Sequence, residues 1–237
     1  MRIAVIGGTG KQGRGLALGW ARAGETVIIG SRVPERAQQT VEEINAAAGR
    51  QAASGMGNLD AAIAGEIVVL AVPYDAQEKT VREIREAVRG KILVSVSVPI
   101  DTGSARRLRQ VPGGSAAEEA QILLGQKTRV VAAFQNVSHI HLATMGALAC
   151  DVLVCGDDDE ARQEAIRLAV LLGFRGLDAG PLRNARVVEG LTVLLLEINR
   201  RYKSRGTGIR VTGISDGDQA IGRLVNQIRS FPNRQLV

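Results

Sequence analysis

The chain has 237 residues, of which 45% are hydrophobic and only 3% aromatic, and it carries a net charge of +6. The hydrophobic content excludes a disordered chain, and the few aromatic residues argue against a base-stacking surface for single-stranded nucleic acid. The apolar runs are far shorter than the roughly 18–20 residues that cross a bilayer, and the N-terminal one is too short for a secretion signal. We therefore expect a soluble, cytoplasmic protein with no membrane partner.

The predicted strands are short apolar segments rich in β-branched residues. They cover residues 2–6, 26–30, 66–72, 91–96, 129–133 and 151–154, with a further short strand within 206–213. The predicted helices cover residues 11–23, 34–48, 75–89, 158–172, 183–201 and 217–229, with a short one between its cap Asn58 and Gly65 and one beginning at the capping-box sequence 115–118. Since near-continuous apolar strands alternate with helices, this pattern predicts an α/β fold with a parallel sheet covered on both faces.

The excess positive charge lies entirely in residues 200–237, which hold eight Lys or Arg and two Asp. Its densest part consists of Arg200, Arg201, Lys203, Arg205 and Arg210. Such a run is typical of a patch that faces nucleic acid or solvent, and equally of a seat for a polyanionic small molecule. Composition alone does not separate these two interpretations.

A glycine-rich turn follows the first predicted strand and precedes the first predicted helix. Residues 7–13 read Gly-Gly-Thr-Gly-Lys-Gln-Gly and contain the pattern Gly-x-Gly-x-x-Gly at Gly8, Gly10 and Gly13. Glycines permit the tight turn, the approach of the backbone to a pyrophosphate, and close packing of helix on strand, while the helix N-terminus attracts phosphate. This context predicts a dinucleotide site.

The end of the second predicted strand favours NADP over NAD. An acidic residue there would hold the ribose 2′-hydroxyl of NAD, but this chain has Ser31 and Arg32, with Arg36 one turn further on. Arginine can hold a phosphate with two hydrogen bonds, whereas a carboxylate would repel it. The alternative is that both arginines are surface charges paired with Glu35 or Glu42.

Several motifs, taken in order along residues 1–214, resemble those of the coenzyme F420-dependent NADP oxidoreductases. They are the glycine turn with Gly30-Ser31-Arg32, Val98-Pro99, and the segments 115–118, 154–160, 177–182, 184–192 and 208–210. The resemblance implies a Rossmann fold, a doubly wound parallel sheet, with a small and mostly helical C-terminal part. We place the NADP-binding Rossmann domain at 1–180 and the C-terminal helical part, with its basic extension, at 181–237. The resemblance also implies a homodimer.

The same resemblance implies hydride transfer between NADP(H) and the deazaflavin coenzyme F420, and it implies where the two ligands bind. The glycine turn and the end of strand two would bind NADP, through Gly8, Thr9, Gly10, Lys11, Gln12, Gly13, Ser31, Arg32 and Arg36. Val72 and Pro73 would line the nicotinamide end. Val98, Pro99, Gln135 and Val137 would shape the floor on which the two rings stack.

One departure from the family bears on the second substrate. The family often has a histidine where this chain has Gln135, which can hydrogen bond but cannot carry a positive charge. His139 and His141 follow shortly and are candidates to replace it. The departure keeps open an NADPH-dependent reductase of another substrate, such as an imine, a ketone or a flavin. A non-catalytic NADP(H)-binding module also stays open.

We expect neither a catalytic acid or base nor a metal, because hydride transfer between two rings needs mainly alignment and the exclusion of water. The acidic run 157–159 is expected to cap a helix rather than to bind a metal, and Arg186 is expected to pair with Glu189. Cys150 and Cys155 are expected to be inert, buried thiols on opposite faces of a strand. A nucleic-acid partner is not expected.

Overall fold

The computed structural model describes residues 1–101, 107–143 and 149–214. The strands are β1 (Arg2–Ile6), β2 (Thr26–Ser31), β3 (Ala53–Gly57), β4 (Ile67–Leu70), β5 (Ile92–Ser95), β6 (Ile100–Asp101), β7 (Arg107–Leu108), β8 (Arg129–Ala132), β9 (Asp151–Gly156) and β10 (Arg175–Asp178). The helices are α1 (Lys11–Arg22), α2 (Pro34–Ala48), α3 (Asn58–Ala64), α4 (Tyr74–Ile84), α5 (Ala116–Leu124), α6 (His139–Ala143), α7 (Asp159–Leu171) and α8 (Ala185–Arg201). The helix predicted over 217–229 lies outside the described residues.

Eight strands form one sheet in the order β3-β2-β1-β4-β5-β8-β9-β10. All neighbouring pairs are parallel except β8 and β9, which are antiparallel. The order from β3 to β8 reverses at β1, which is the arrangement of the doubly wound dinucleotide-binding fold. The predicted fold class is therefore confirmed.

The sheet separates two apolar cores, because successive strand residues point to opposite faces. In β1, Ile3 and Val5 belong to one core, and Ala4 and Ile6 belong to the other. All four side chains are fully buried. The strands therefore read as continuous apolar runs, as expected of a sheet covered by helices on both sides.

Three strand regions were not predicted from the sequence. The edge strand β3 reads Ala-Ser-Gly-Met-Gly and the opposite edge strand β10 reads Arg-Gly-Leu-Asp, so neither is rich in β-branched residues. The loop predicted over 97–114 contains the small antiparallel pair β6 and β7. Conversely, the short strand predicted within 206–213 is wrong, since this segment has no regular structure.

The predicted caps of two helices are confirmed. The Ser115 hydroxyl accepts a hydrogen bond from Glu118 N at 3.1 Å before α5, and Asp158 accepts one from Ala161 N at 2.8 Å before α7. The cap predicted at Asn58 is wrong, because Asn58 is the first residue of α3 and Gly57 occupies the cap position.

The predicted pair between Arg186 and Glu189 is also wrong. Arg186 instead forms a bidentate pair with Glu118, with N–O distances of 2.7 and 2.8 Å. Glu189 is 1% exposed and accepts hydrogen bonds from the backbone N–H groups of Ala116 and Ala117. Both side chains of α8 therefore bind the start of α5 and do not bind each other.

Candidate functional site

The glycine turn joins β1 to α1 at the carboxyl edge of the sheet. A Cβ atom at Gly8 would lie 2.8 Å from Val5 O, and one at Gly13 would lie 2.9 Å from Gly7 O, so both positions exclude larger residues. Gly7 itself has a φ of 77°, a conformation that favours glycine. A Cβ at Gly10 would have only Gly7 O nearby, at 3.4 Å. Gly8 and Gly13 therefore shape the turn, whereas Gly10 leaves space for a ligand beside the N-terminus of α1.

A cavity of about 160 Å³, the smaller cavity, lies between this turn and the end of β2. Its lining residues include Thr9, Gly10, Ser31, Arg32, Arg36 and Asn58. Arg32 and Arg36 are exposed, and within the described residues neither forms an ion pair, so the alternative pairing with Glu35 or Glu42 is not seen. Two unneutralised guanidinium groups here suit an anionic ligand such as a phosphate.

The same cavity has an unsatisfied polar atom. Asn58 is 3% exposed, and its Oδ1 has no hydrogen-bond partner among the described residues. The Ser31 hydroxyl accepts a hydrogen bond from Val33 N at 3.1 Å, which fixes the turn after β2 and leaves the Ser31 proton available to a ligand. The donors and acceptors present therefore fit a phosphorylated ribose.

A second cavity of about 570 Å³, the larger cavity, extends from the glycine turn to α8. It contains the predicted residues Gly10, Lys11, Gln12, Val72, Pro73, Val98, Gln135 and Val137. The two cavities share four lining residues, Gly10, Ala71, Val72 and Pro73, and so adjoin each other; we call the two together the groove. Of the predicted residues, Gly8, Gly13 and Pro99 do not line either cavity.

Residues 134–137 form the floor of the larger cavity. Phe134 is fully buried, has a φ of 71°, and packs edge-on against Trp20 with ring centroids 5.8 Å apart. The Gln12 amide donates hydrogen bonds to Phe134 O at 3.2 Å and to Val137 O at 3.0 Å. Gln12 therefore holds the floor against α1, a role that the glycine motif did not indicate.

Gln135 is fixed in one orientation within this floor. Its Nε2 donates to Ser95 O at 2.9 Å, and its backbone oxygen accepts from the Thr192 hydroxyl of α8 at 2.9 Å. The Oε1 of Gln135 and the Oδ1 of Asn136 are buried and have no hydrogen-bond partner among the described residues. Because Nε2 faces a carbonyl, the free group of Gln135 is an acceptor, which suits an N–H donor.

The two histidines have different environments. His139 lines the larger cavity, and its pKa is lowered by burial and by the nearby positive charges of Lys11 and Arg14. His141 Nε2 is hydrogen bonded to Gly206 O. Of the two, only His139 faces the cavity, and its lowered pKa makes it a poor substitute for a positively charged histidine.

The C-terminal basic run is not uniform. Arg200 and Arg201 both pair with Glu197, at 2.6 and 2.7 Å. Arg205 is exposed, lines the larger cavity, and forms no ion pair among the described residues. Among the described residues of this run, Arg205 is therefore the cation available to the cavity.

Sequence reasoning missed part of the larger cavity. Helix α8 and the segment after it provide Leu195, Leu196, Asn199, Ser204, Gly206 and Thr207, besides Thr192 of the 184–192 motif and Arg205 of the basic run. Residues 184–192 and 208–210 carry family motifs, and these flank the missed lining residues on both sides. Their spacing around the cavity depends on the packing of α8, which the sequence pattern does not specify.

In the described residues, no group of three or more His, Cys, Asp or Glu side chains is placed to hold a metal ion. Among the same residues, no helix has the length and apolar content that a membrane span needs. The groove combines aliphatic walls, an end bordered by Arg32 and Arg36, and a polar but neutral floor. Such a site is suited to bind two ring systems in contact and to exclude water from between them.

Comparison with known proteins identifies close relatives. A family model described as NADP oxidoreductase, coenzyme F420-dependent, matches residues 2–99. The F420-dependent NADP reductase of Methanothermobacter thermautotrophicus is 46% identical over 224 residues, covering 91% of this chain and 97% of that protein. The F420-dependent NADP reductase of Methanocaldococcus jannaschii is 43% identical over 223 residues, covering 90% and 99%.

A solved structure agrees with these sequence relatives. The crystal structure of a candidate F420-dependent NADP-reductase from Arthrobacter sp. FB24 superposes with a TM-score of 0.79 at 26% identity. The match covers 90% of this chain and 99% of that one. A match over 90% of the chain extends well beyond residues 2–99.

Proposed function

The chain belongs to the family of coenzyme F420-dependent NADP oxidoreductases, and we propose that it transfers a hydride between NADP(H) and coenzyme F420. The observation that carries this proposal is the pair of cavities that adjoin along Val72 and Pro73, one of them bordered by two arginines that form no ion pair with any described residue. When bound, the two coenzymes supply the carbon atoms between which the hydride moves.

The residues of the groove bind and align the two ligands. Arg32, Arg36 and Ser31 hold the 2′-phosphate of NADP, and the N-terminus of α1 at Gly10 holds its pyrophosphate. Val72 and Pro73 bring the nicotinamide end to the junction of the two cavities. Val98 and Val137 supply dry, aliphatic contact to the deazaflavin, and the Oε1 of Gln135 accepts a hydrogen bond from an N–H group of that ring.

Arg205 contributes charge to the binding of the second ligand. Coenzyme F420 carries a phosphate and a glutamate tail, and Arg205 lines the larger cavity without an ion pair among the described residues. Arg200 and Arg201 are neutralised by Glu197 and so are weaker candidates. This arrangement favours the small polyanion over nucleic acid as the ligand of the basic run.

We also propose a homodimer. Four apolar side chains of α8 and its end are exposed at helical spacing, namely Val187, Leu194, Ile198 and Tyr202. An apolar stripe of this kind is typical of a helix that packs against a partner.

The division into domains at 1–180 and 181–237 stays a prediction. A cytoplasmic location is supported by the two free cysteines, which fit a reducing compartment.

The proposal is tested by mixing the purified protein with NADPH and oxidised F420 and following the visible absorbance of the deazaflavin, with NADH in parallel. Loss of absorbance with NADPH and little with NADH is expected. NADPH binding without any loss of absorbance would contradict the proposal. It would instead favour a reductase of another substrate, such as an imine, a ketone or a flavin, or a non-catalytic NADP(H)-binding module.

A further inference from the structure

The segment that follows α8 forms part of the wall of the larger cavity. We call residues 203–214 the strap. Four of them, residues 204–207, line the larger cavity. The strap has no helix or strand, so its position depends on the hydrogen bonds that fasten it to other elements.

The first set of fastenings lies beside the cavity. Thr207 N donates to the Asn199 Oδ1 at 3.0 Å, and the Thr207 hydroxyl donates to Leu195 O at 3.2 Å. Gly206 has a φ of 83°, and a Cβ there would lie 2.6 Å from the ring nitrogen of His141. These contacts fix the cavity end of the strap against α8 and α6.

The second set lies at the far end of the strap, on a buried ion pair. Asp151 at the start of β9 is 0% exposed at its side chain and Arg175 at the start of β10 is 8% exposed. Arg175 binds Asp151 through two hydrogen bonds of 2.8 and 2.7 Å. The same pair holds the strap, since Val211 N donates to Asp151 at 2.7 Å and Arg175 donates to Val211 O at 2.6 Å.

Asp151 also connects the strap with the cavity floor. Its backbone N–H donates to Ile209 O at 2.7 Å, and its backbone oxygen accepts from the Asn136 amide at 2.6 Å. Asn136 lines the larger cavity. Two walls of the cavity, the strap and the floor, therefore meet at one residue that does not itself line the cavity.

A buried ion pair is weak evidence for a stabilising role, because the cost of removing both charges from water offsets much of their attraction. A bidentate pair does, however, hold the groups that are hydrogen bonded to it in fixed orientations. We propose that Asp151 and Arg175 are positioning residues, which set the strap and the floor at the spacing that the second coenzyme requires. This inference rests on the proposed function, because it assigns the larger cavity to that coenzyme.

The test compares Arg175→Lys with Arg162→Lys. Lysine keeps the charge but cannot form the bidentate pair. Arg162 is a matched control, because it also holds several hydrogen-bonded partners near this sheet edge, Asp178 at 2.9 Å, Gly156 O at 2.7 Å and Asp159 at 2.6 Å, and does not bind the strap. We expect Arg175→Lys to raise the KM for F420 about tenfold, the size expected for one lost charged hydrogen bond, with the KM for NADPH within about twofold.

If Arg175 had a purely structural role, its substitution would raise the KM for F420 and the KM for NADPH by similar factors. Equal rises in both KM values, or the same KM for F420 in both variants, would overturn the proposal. Gly206→Ala is a second variant that displaces the strap at its other fastening, and the same selective rise in KM for F420 is expected.

Hydrogen exchange in the ligand-free protein tests the role of Asp151 and Arg175 independently of the proposed function. If the wild-type protein reduced no F420, the proposed function would fail. The strap would still be judged in the ligand-free protein, by exchange at the amides of residues 204–207 and 136. Faster exchange at both places in Arg175→Lys, and not in Arg162→Lys, supports the coupling of strap and floor; unchanged exchange overturns it.

Discussion

The carboxylate of Glu189 lies 2.8 Å from the backbone N–H of Ala116, the residue at which α5 begins. A carboxylate at this position satisfies helix N–H groups that have no partner within the helix. Burial nevertheless raises the pKa of Glu189 from 4.5 to about 7, against the opposing effect of its two backbone hydrogen bonds. Helix α5 is thus hydrogen bonded to α8 through a carboxyl group that titrates near neutral pH.

This pKa gives a predicted pH dependence of stability. Because the folded protein binds the Glu189 proton more tightly than the unfolded chain, the contribution of Glu189 is complete below about pH 4.5 and is lost as the pH rises through about 7. The shift corresponds to about 3 kcal/mol over that interval. Glu189→Gln has no such titration. We therefore expect wild type to lose stability relative to Glu189→Gln between pH 5 and pH 8. Urea denaturation at each pH measures the two unfolding free energies.

The matched control for this experiment is Glu83→Gln, which changes an exposed glutamate of α4. Its unfolding free energy is expected to stay within about 0.5 kcal/mol of wild type at each pH. A constant difference between wild type and Glu189→Gln across the pH range would contradict the assigned role of the Glu189 proton.

The preference for NADPH is predicted to depend on Arg32 and Arg36. Each alanine substitution removes charged hydrogen bonds to the 2′-phosphate, so kcat/KM with NADPH is expected to fall roughly 10- to 100-fold, with little change for NADH. Arg85→Ala serves as the control, because Arg85 is exposed and borders neither cavity. Steady-state kinetics with both nucleotides measure the effect, and equal losses for NADPH and NADH would contradict it.

Arg205 is predicted to recognise the anionic tail of the second coenzyme. Arg205→Gln should raise the KM for F420 several-fold and leave the KM for the deazaflavin riboside, which lacks phosphate and glutamate, unchanged. Arg201→Gln is the comparison, because Glu197 already neutralises Arg201. A similar loss with both deazaflavins would show that Arg205 acts on the shape of the cavity rather than on the tail.

The two cysteines are predicted to be unreactive in the folded protein. Both are buried and free, and burial raises the pKa of Cys150 to about 11 and that of Cys155 to about 12. The thiolate, which is the reactive form, is therefore scarce at neutral pH. A thiol reagent such as dithionitrobenzoate should label neither residue until denaturant is added; labelling of the native protein within minutes would contradict this.

The parts of the fold that depend on local signals were predictable from the sequence. The strand Arg2–Ile6, the glycine turn and α1 follow from an apolar run, a glycine pattern and helical spacing that lie within 22 residues. The edge strand β3 does not carry such signals. Its Gly55 is required because a Cβ would lie 2.9 Å from the backbone of Ala37 in α2, a constraint that appears only once the helix packs on the strand.

In the candidate site, too, only the parts that depend on local signals were predictable from the sequence. Part of the smaller cavity was predictable, because Thr9, Gly10 and Arg32 follow β1 and β2 at neighbouring strand ends, whereas the contribution of Asn58 was not. The larger cavity depends on partners far apart in sequence, such as Thr192 with Gln135 and Gln12 with Val137. Arg186 shows the difficulty at a single residue. A neighbour three positions away, Glu189, looked like its partner, but its actual partner Glu118 is 68 positions away.

The wall shared by the two cavities has a kinetic consequence. Two ligands in these adjoining cavities would meet at Val72 and Pro73, so the hydride would pass directly between them. Catalysis then requires a ternary complex, and neither product need leave before the second substrate arrives. Initial rates measured at several fixed concentrations of each coenzyme should accordingly give intersecting double-reciprocal lines, the pattern of a sequential mechanism, rather than the parallel lines of a ping-pong one.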